Sequence, residues 1–315
     1  MRLADQLLSH RDYDLLLFRL DVLPFAPLYI TRKSQVPYAL KTLGQGLMQV
    51  LSEKVRWLGR PLAKANLILV EQLVKNAMVA DSVSEMQVRY LQETLGVEPN
   101  KIVWIDNAVN TDRFFPTSTM EARRNLVLEQ YDPVIGYVGT HPDERGGTQL
   151  INAVPMLLPK YPNLGLVVLG DGKGLQNLVC LADALGIAQH CVFPGHVPFS
   201  QVPTYVNALD VCASIQQPKG FAMSELKVRQ YLACGKPVVA STPGSNDFLP
   251  GENLGSLVSY DDMSSIAHEL DRWLSLTADE RFAFSSRAFQ FARNNLSVEQ
   301  SVAKRIALWN GRLNS

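Results

Sequence analysis

The sequence predicts an α/β fold made of two parallel-sheet domains, and three observations carry that expectation. Short continuous apolar runs recur along the chain, they alternate with helical stretches of about ten residues, and glycine closes several of the helices. Such alternation implies parallel strands joined by right-handed crossovers. At 315 residues the chain is long enough for two domains, each with its own core.

In the first part, runs at 15–18, 38–40, 77–80 and 102–105 read as strands, separated by helices near 45–62 and 84–95. Ser84 opens the second of these helices as a cap and Gly96 closes it. The later part is more regular. Strands at 134–138, 164–169, 192–193 and 211–214 alternate with helices at 148–158, 175–185 and 202–209. Next comes 224–241, where Leu226, Tyr231 and Leu232 share an apolar helical face and Gly235 supplies a left-handed stop. Pro237, Val238, Val239 and Ala240 then form a strand covered on both sides. Segment 298–313 reads as a terminal helix returning to the first domain. The break between the sheets is expected within 116–133, giving domains at 1–125 and 126–296 with 297–315 as the returning helix.

Composition narrows the function class. Apolar residues make up 47% and charged residues 19%, which excludes a disordered chain, and the zero formal net charge gives no chain-wide argument for nucleic acid. Residues 1–80 hold 11 Lys and Arg against 6 Asp and Glu, a local excess of five that suits an anionic membrane surface or acceptor as well as a plain solvated face. Cys180, Cys191, Cys212 and Cys234 form no CxxC pair and read as reduced core thiols of a cytoplasmic protein. The apolar run 13–30 is broken by Asp14, Arg19, Asp21 and two prolines, so it is not a membrane span, and no signal peptide is expected. Trp57, Trp104, Trp273 and Trp309 are scattered and read as packing residues rather than a platform for a sugar.

Three glycine-centred turns follow strands of the second sheet. Gly139 and Thr140 lead through a polar loop holding His141, Arg145 and Gly146 into a helix, so backbone amides and a guanidinium meet there, as a phosphate requires. The turn at 170–174 lacks the spacing of a dinucleotide fingerprint and reads as a structural turn. Gly244 to Asp247 open a third turn. Ligands in such sheets bind at the carboxyl ends of the strands, where all three turns fall. His10, Arg19 and Asp21 read as surface or turn residues of the first sheet, whereas His141 and His196 lie in turns that face a ligand.

Taken in order, these motifs resemble the retaining, two-domain glycosyltransferases of the GT-B fold, family 4, with its glycosyl transferases group 1 domain. Ser84 and Glu85 are similar to the family's helix-opening pair, and 107–114 to the segment before its domain crossing. Gly139 with Arg145 and Gly146 is similar to its phosphate loop. Phe193, Gly195, His196 and Val197 match the turn facing the base, and Leu226, Lys227 and 231–237 match the donor helix. The resemblance covers 77 to about 310 well and 10–76 loosely. It implies two Rossmann-like sheets, a nucleoside-diphosphate sugar as donor, a carbohydrate or lipid-linked acceptor, and retention of configuration. It also implies leaving-group neutralisation by cations and helix starts without a bound metal or cofactor. The donor site it implies comprises Gly139, Thr140, Arg145, Gly146, His196, Val197, Glu225, Lys227, Gln230 and Asp247. The cysteines point to a cytoplasmic protein, and the basic start leaves peripheral association with the inner membrane face open beside a plain solvated face.

The chain departs from the family pattern at several of these places. Thr140 stands where an arginine is usual and Arg145 where a lysine is. The paired glutamates around the donor helix fall on Ala222 and Gln230, and Glu225 lies near the first. Leu43 stands where a first-domain histidine is expected. The resemblance implies, and ordinary domain sizes allow, roughly 70 to 100 further residues in a complete first domain, so the first domain is expected to be incomplete and the chain either a fragment or a shortened relative. Three readings stay open: an active transferase, a nucleotide-sugar-binding protein of this fold with impaired catalysis, and an epimerase whose acid and base carboxylates have no evident place.

Overall fold

The computed structural model describes residues 6, 13–20, 25–42, 60–94, 96–140, 142–143, 145–172, 174–217, 225–242 and 246–313. Contacts divide them into two compact units. Unit 1 holds the described residues up to Asp106 and from Ser301 onward, and unit 2 holds those between Asn107 and Gln300.

Unit 1 runs β1 (Leu16–Leu20), α1 (Phe25–Lys33), β2 (Tyr38–Thr42), α2 (Arg60–Asn76), β3 (Val79–Ser82), α3 (Glu85–Glu93) and β4 (Ile102–Trp104). The four strands are parallel and lie in chain order. Leu40, Leu73, Leu91 and Ile102 form the centre of its core. The Ser84 side chain accepts from the Gln87 amide, 3.3 Å away, fixing the start of α3, and Gly96 takes φ +64° just past its end. The helix expected near 45–62 lies outside the described residues up to 59, and Leu43 lies outside them too.

Unit 2 continues with α4 (Thr119–Asn125), β5 (Val134–Val138), α5 (Gly147–Leu157), β6 (Gly165–Leu169), α6 (Leu175–Ala184), β7 (Cys191–Gly195), α7 (Val202–Ala208) and β8 (Val211–Ser214). It is completed by α8 (Leu226–Ala233), β9 (Val238–Ser241), α9 (Phe248–Gly251), β10 (Gly255–Val258), α10 (Met263–Leu274), α11 (Ala278–Phe291) and the first residues of α12 (Val298–Leu313). The rest of α12 belongs to unit 1. The six parallel strands are ordered β10-β9-β8-β5-β6-β7. Strands β5, β6, β8 and β9 are buried along their whole length because their side chains are apolar or small on both faces. The chain builds outward from β5 in one direction through β6 and β7, then returns to place β8 on the other side. That reversal opens a crevice between the carboxyl ends of β5 and β8, where ligands of open α/β sheets bind.

Three local expectations change. Leu226 is 44% exposed, whereas Tyr231 and Leu232 are fully buried: as the first residue of α8, Leu226 projects beyond the helix start. Trp104 ends the edge strand β4 and is 46% exposed rather than packed. All four cysteines are free, but Cys180 is exposed and Cys191 half-buried, leaving Cys212 and Cys234 as the core thiols.

Candidate functional site

The crevice at the reversal is assembled by close backbone approaches. Gly139 donates its amide to the Leu169 carbonyl at 2.9 Å, and Gly170 donates to the Gly195 carbonyl at 3.1 Å, lacing the carboxyl ends of β5, β6 and β7. A Cβ on Gly170 would stand 1.8 Å from the Gly139 carbonyl oxygen, so the second turn is structural. Gly146, at φ +116°, precedes α5 without a side-chain cap, and a Cβ there would come within 2.9 Å of both the amide nitrogen and the carbonyl oxygen of Ile215. The start of α5 is thereby seated against the chain leaving β8. An uncapped helix start carries partial positive charge.

Helix α8 begins at the same place. Glu225 precedes it but does not cap it; its carboxylate instead accepts from the Ser214 hydroxyl and from Asn246 Nδ2 at 2.9 Å. Arg229, fully buried, donates to Asn246 Oδ1 at 2.7 Å and to the Glu225 carbonyl at 3.4 Å. Tyr231, two residues on, holds both the amide and the carbonyl of Val138 through its hydroxyl, at 2.8 and 3.2 Å, and so locks α8 to β5.

Lys227 is the unusual member of the group. Its side chain is 10% exposed, its Nζ lies 4.2 Å from the centre of the Tyr137 ring and 3.9 Å from Glu225 Oε2, and it has no hydrogen-bond partner among the described residues. The Glu225 oxygens are already engaged, so this carboxylate balances Lys227 incompletely. Burial lowers the lysine pKa to about 8, Glu225 opposing and Arg145 adding to the shift. Arg145 acts on the buried Tyr137 hydroxyl as well, whose pKa burial pushes far up. Arg145, Lys227 and two uncapped helix starts thus give a positive field that Glu225 and Asp143 offset in part, an arrangement suited to an anion.

The other expected positions are more scattered. The Thr140 side is exposed, and its carbonyl accepts from the Tyr137 hydroxyl at 2.9 Å. His196 is 77% exposed with Nδ1 3.8 Å from Asp171 Oδ2, at the ends of β7 and β6, while Val197 packs against the core. Gln230 is buried on α8, one turn beyond Lys227 on the same face. Asp247 is exposed at the start of α9, next to the buried Asn246. His141 and Ala222 lie outside the described residues. Sequence reasoning missed Ser214, Arg229 and Asn246. Arg229 left a trace, as a charge set inside the apolar run of α8.

A separate hollow of about 200 Å³ opens at the amino ends of β8 and β9, lined by Asp210, Lys236, Trp273 and Arg281. Its ions are consumed internally: Arg281 bonds Asp210 and the carbonyls of Leu274 and Leu276, and Lys236 bonds Thr119 and the Asn207 carbonyl. It lacks the open charge found at the other end of the sheet.

Residues 118–291, more than half of the chain, match the family described as glycosyl transferases group 1. The chain belongs to the glycosyl transferases group 1 family. The matched region of this glycosyl transferases group 1 protein contains the crevice between β5 and β8 and every candidate residue from Gly139 to Asp247. Among curated relatives, the chain is 30% identical over 185 residues to the GDP-mannose-dependent alpha-(1-6)-phosphatidylinositol monomannoside mannosyltransferase of Mycolicibacterium smegmatis, covering 56% of this chain and 47% of that protein. It is 30% identical over 259 residues to the D-inositol 3-phosphate glycosyltransferase of Salinispora tropica, covering 77% of this chain and 53% of the relative. The chain therefore spans about half the length of the curated relatives it matches. Anabaena HepE in complex with UDP and glucose superposes with a TM-score of 0.73 at 18% identity, covering 97% of this chain and 81% of the other. Its two parallel sheets give the group 1 chain the GT-B fold.

Proposed function

We propose that this protein transfers a sugar from a nucleoside-diphosphate sugar to a carbohydrate or lipid-linked acceptor, with retention of configuration in the manner of family 4. The observation that carries the reading is Lys227: a buried ammonium without a hydrogen-bond partner among the described residues, beside Arg145 and two uncapped helix starts. A diphosphate supplies the missing counter-charge. As the glycosidic bond to the leaving diphosphate breaks, negative charge grows on its oxygens, and cations fixed in a poorly hydrated site stabilise that charge without reorganising. In this reading Lys227, Arg145 and the turn through Gly139, Thr140 and Gly146 hold the diphosphate, and no metal or cofactor is invoked. Gln230 hydrogen-bonds the ribose hydroxyls, His196 and Val197 flank the base, and Glu225 and Asp247 border the sugar.

The relatives' named substrates, an inositol phosphate and a mannosylated phosphatidylinositol, favour a phosphorylated polyol or a lipid carrying one as acceptor. The basic excess in residues 1–80 supports work at the inner face of a membrane by a cytoplasmic protein attached peripherally. A second reading, nucleotide-sugar binding without turnover, is favoured by the neutral Gln230 and Thr140 at positions where the resemblance expects charge.

Calorimetric titration with UDP and with GDP, paired with an assay for nucleoside diphosphate released from donor, tests both readings. Lys227→Met is expected to weaken nucleotide binding by about 10- to 100-fold, the loss of one or two charge-assisted contacts. Unchanged affinity overturns the assignment of the site. Binding without release of diphosphate favours the second reading, and the anomeric proton coupling of any product decides retention.

A further inference from the structure

The Glu225 carboxylate stands beside Lys227 and is held by other groups. Its Oε1 accepts from Asn246 Nδ2 at 2.9 Å, and its Oε2 accepts from the Ser214 hydroxyl at the end of β8. Lys227 Nζ stops 3.9 Å from Oε2, close enough for charge attraction and too far for a hydrogen bond. Asn246 is held in turn. Its Oδ1 accepts from Arg229 Nη1 at 2.7 Å, and the Arg229 guanidinium lies 5.3 Å from the centre of the Phe248 ring. Ser214, Arg229 and Asn246 are all fully buried.

The order of these groups has a chemical consequence. A guanidinium only donates, a carboxylate only accepts, and a primary amide does one at each end. Arg229 therefore fixes which way the Asn246 amide faces, with its oxygen toward the guanidinium and its nitrogen toward Glu225. A carboxylate released from Asn246 and Ser214 turns easily about its last torsion. A shift of about 1 Å would then bring Oε2 within hydrogen-bond distance of Lys227 Nζ. Such a contact pair is charge-assisted on both sides, and it would engage the ammonium before any anion entered the crevice.

We propose that Arg229 and Asn246, with Ser214, are positioning residues: they hold the Glu225 carboxylate short of a contact ion pair with Lys227 and so keep that ammonium open to an anionic ligand. That the ligand is the diphosphate of a nucleotide sugar rests on the transferase reading; the restraint on Glu225 does not.

The test is a pair of double-mutant cycles in the full chain. Urea midpoints of the native protein, Lys227→Met, Glu225→Gln and their combination are measured at a pH well below 8, where Lys227 carries its charge. They give the coupling between the two side chains with no ligand present. The same cycle is then run on the Asn246→Ala background, where the stabilising coupling between Lys227 and Glu225 is expected to grow. In parallel, affinity for UDP or GDP is expected to fall about tenfold in Asn246→Ala and to recover when Glu225→Gln is added, because no carboxylate is left to engage the lysine. A merely structural role for Asn246 predicts no such recovery, since the second change disrupts the network further. Ser214→Ala removes the other donor with little change in volume and is expected to shift coupling and affinity in the same direction, so the test stands even where Asn246→Ala does not fold. Coupling unchanged from the native background overturns the restraint, and so does a loss of affinity that Glu225→Gln deepens. A native chain that binds neither UDP nor GDP overturns the diphosphate reading instead, and the ligand-free coupling still decides the restraint.

Discussion

Lys227 ties the electrostatics of the crevice to pH. Its pKa falls from the ordinary 10.5 to about 8, so between those values the unfolded chain binds a proton that the folded chain does not. Stability therefore rises with pH across that window, relative to a chain without this lysine, and below pH 8 both states carry the charge and the penalty for burying it is constant. Two outcomes are expected. Urea midpoints of the native protein should gain on those of Lys227→Met between pH 8 and 10.5, and UDP or GDP affinity should fall as pH rises through about 8 in the native protein alone. A nucleotide affinity flat from pH 7 to 9 would sink the assignment of Lys227 to the diphosphate. Around this residue the sequence was only half legible. Lys227 and Arg145 stand out as cations beside a helix start and a glycine turn, and both reach the same pocket of field. Asn246 could not be separated from Asp247 by sequence, because which of the two turns inward depends on how the chain leaves β9. Arg229 is held by contacts with residues four and seventeen positions away, one of them across a turn, and no periodicity records that.

At the level of elements, legibility follows burial. Strands β5 and β8 and helix α12 have the bounds expected from sequence, because a continuous apolar run or a long periodic one leaves little choice. Helix α10 also offered a clear signal that the reading passed over: Ile266, Leu270, Trp273 and Leu274 fall at helical spacing, and Asp262 caps its start through the Ser265 amide. Helix α1 buries no residue and so gave no period to detect. In α11 only Phe284 and Ala288 are buried, too few to define a face. The glycine turns were legible as turns, but the reason for glycine at 146 is the approach of a distant chain segment. Gly146→Ala would put a methyl group into the Ile215 backbone at a φ that side chains rarely adopt. We expect a loss of about 1 to 3 kcal/mol in urea denaturation, together with weaker nucleotide binding as the start of α5 is pushed off β8. Gly311→Ala in α12 is the contrast: nothing lies within 4 Å of the added methyl, and a gain of about 0.5 to 1 kcal/mol is expected from helix propensity. Equal effects of the two changes would deny the close approach a role.

For the molecule as a whole, the question is which stretch of chain makes a self-sufficient nucleotide-binding body. The core of unit 2 draws on residues well before β5. Phe114 is among its largest fully buried side chains, and Val109 and Ala122 belong to the same cluster. Val109 also joins the two ends of the unit: its amide donates to the Leu296 carbonyl at 2.9 Å and its carbonyl accepts from the Val298 amide at 3.1 Å. Arg123 bonds Asp210 and the Ala208 carbonyl, so cutting it away would strand Asp210 with Arg281 as its remaining ionic partner among the described residues. A fragment spanning 107–300 keeps all of these contacts and all ten candidate donor-site residues. It is expected to unfold in one cooperative transition and to bind UDP or GDP with an affinity close to that of the full chain, as a domain with its own core should. A fragment spanning 126–296 keeps the same ten residues but loses Phe114, Arg123 and the Val109 bridge. Removing a buried aromatic alone costs about 3 to 5 kcal/mol, a large part of the stability of a domain this size, so the shorter piece should lack a cooperative transition and bind no nucleotide. Calorimetric scans and nucleotide titrations of the two fragments side by side decide the matter. If the shorter fragment melts and binds like the longer one, the segment before β5 is dispensable, and the crevice owes its shape to the six-stranded sheet alone.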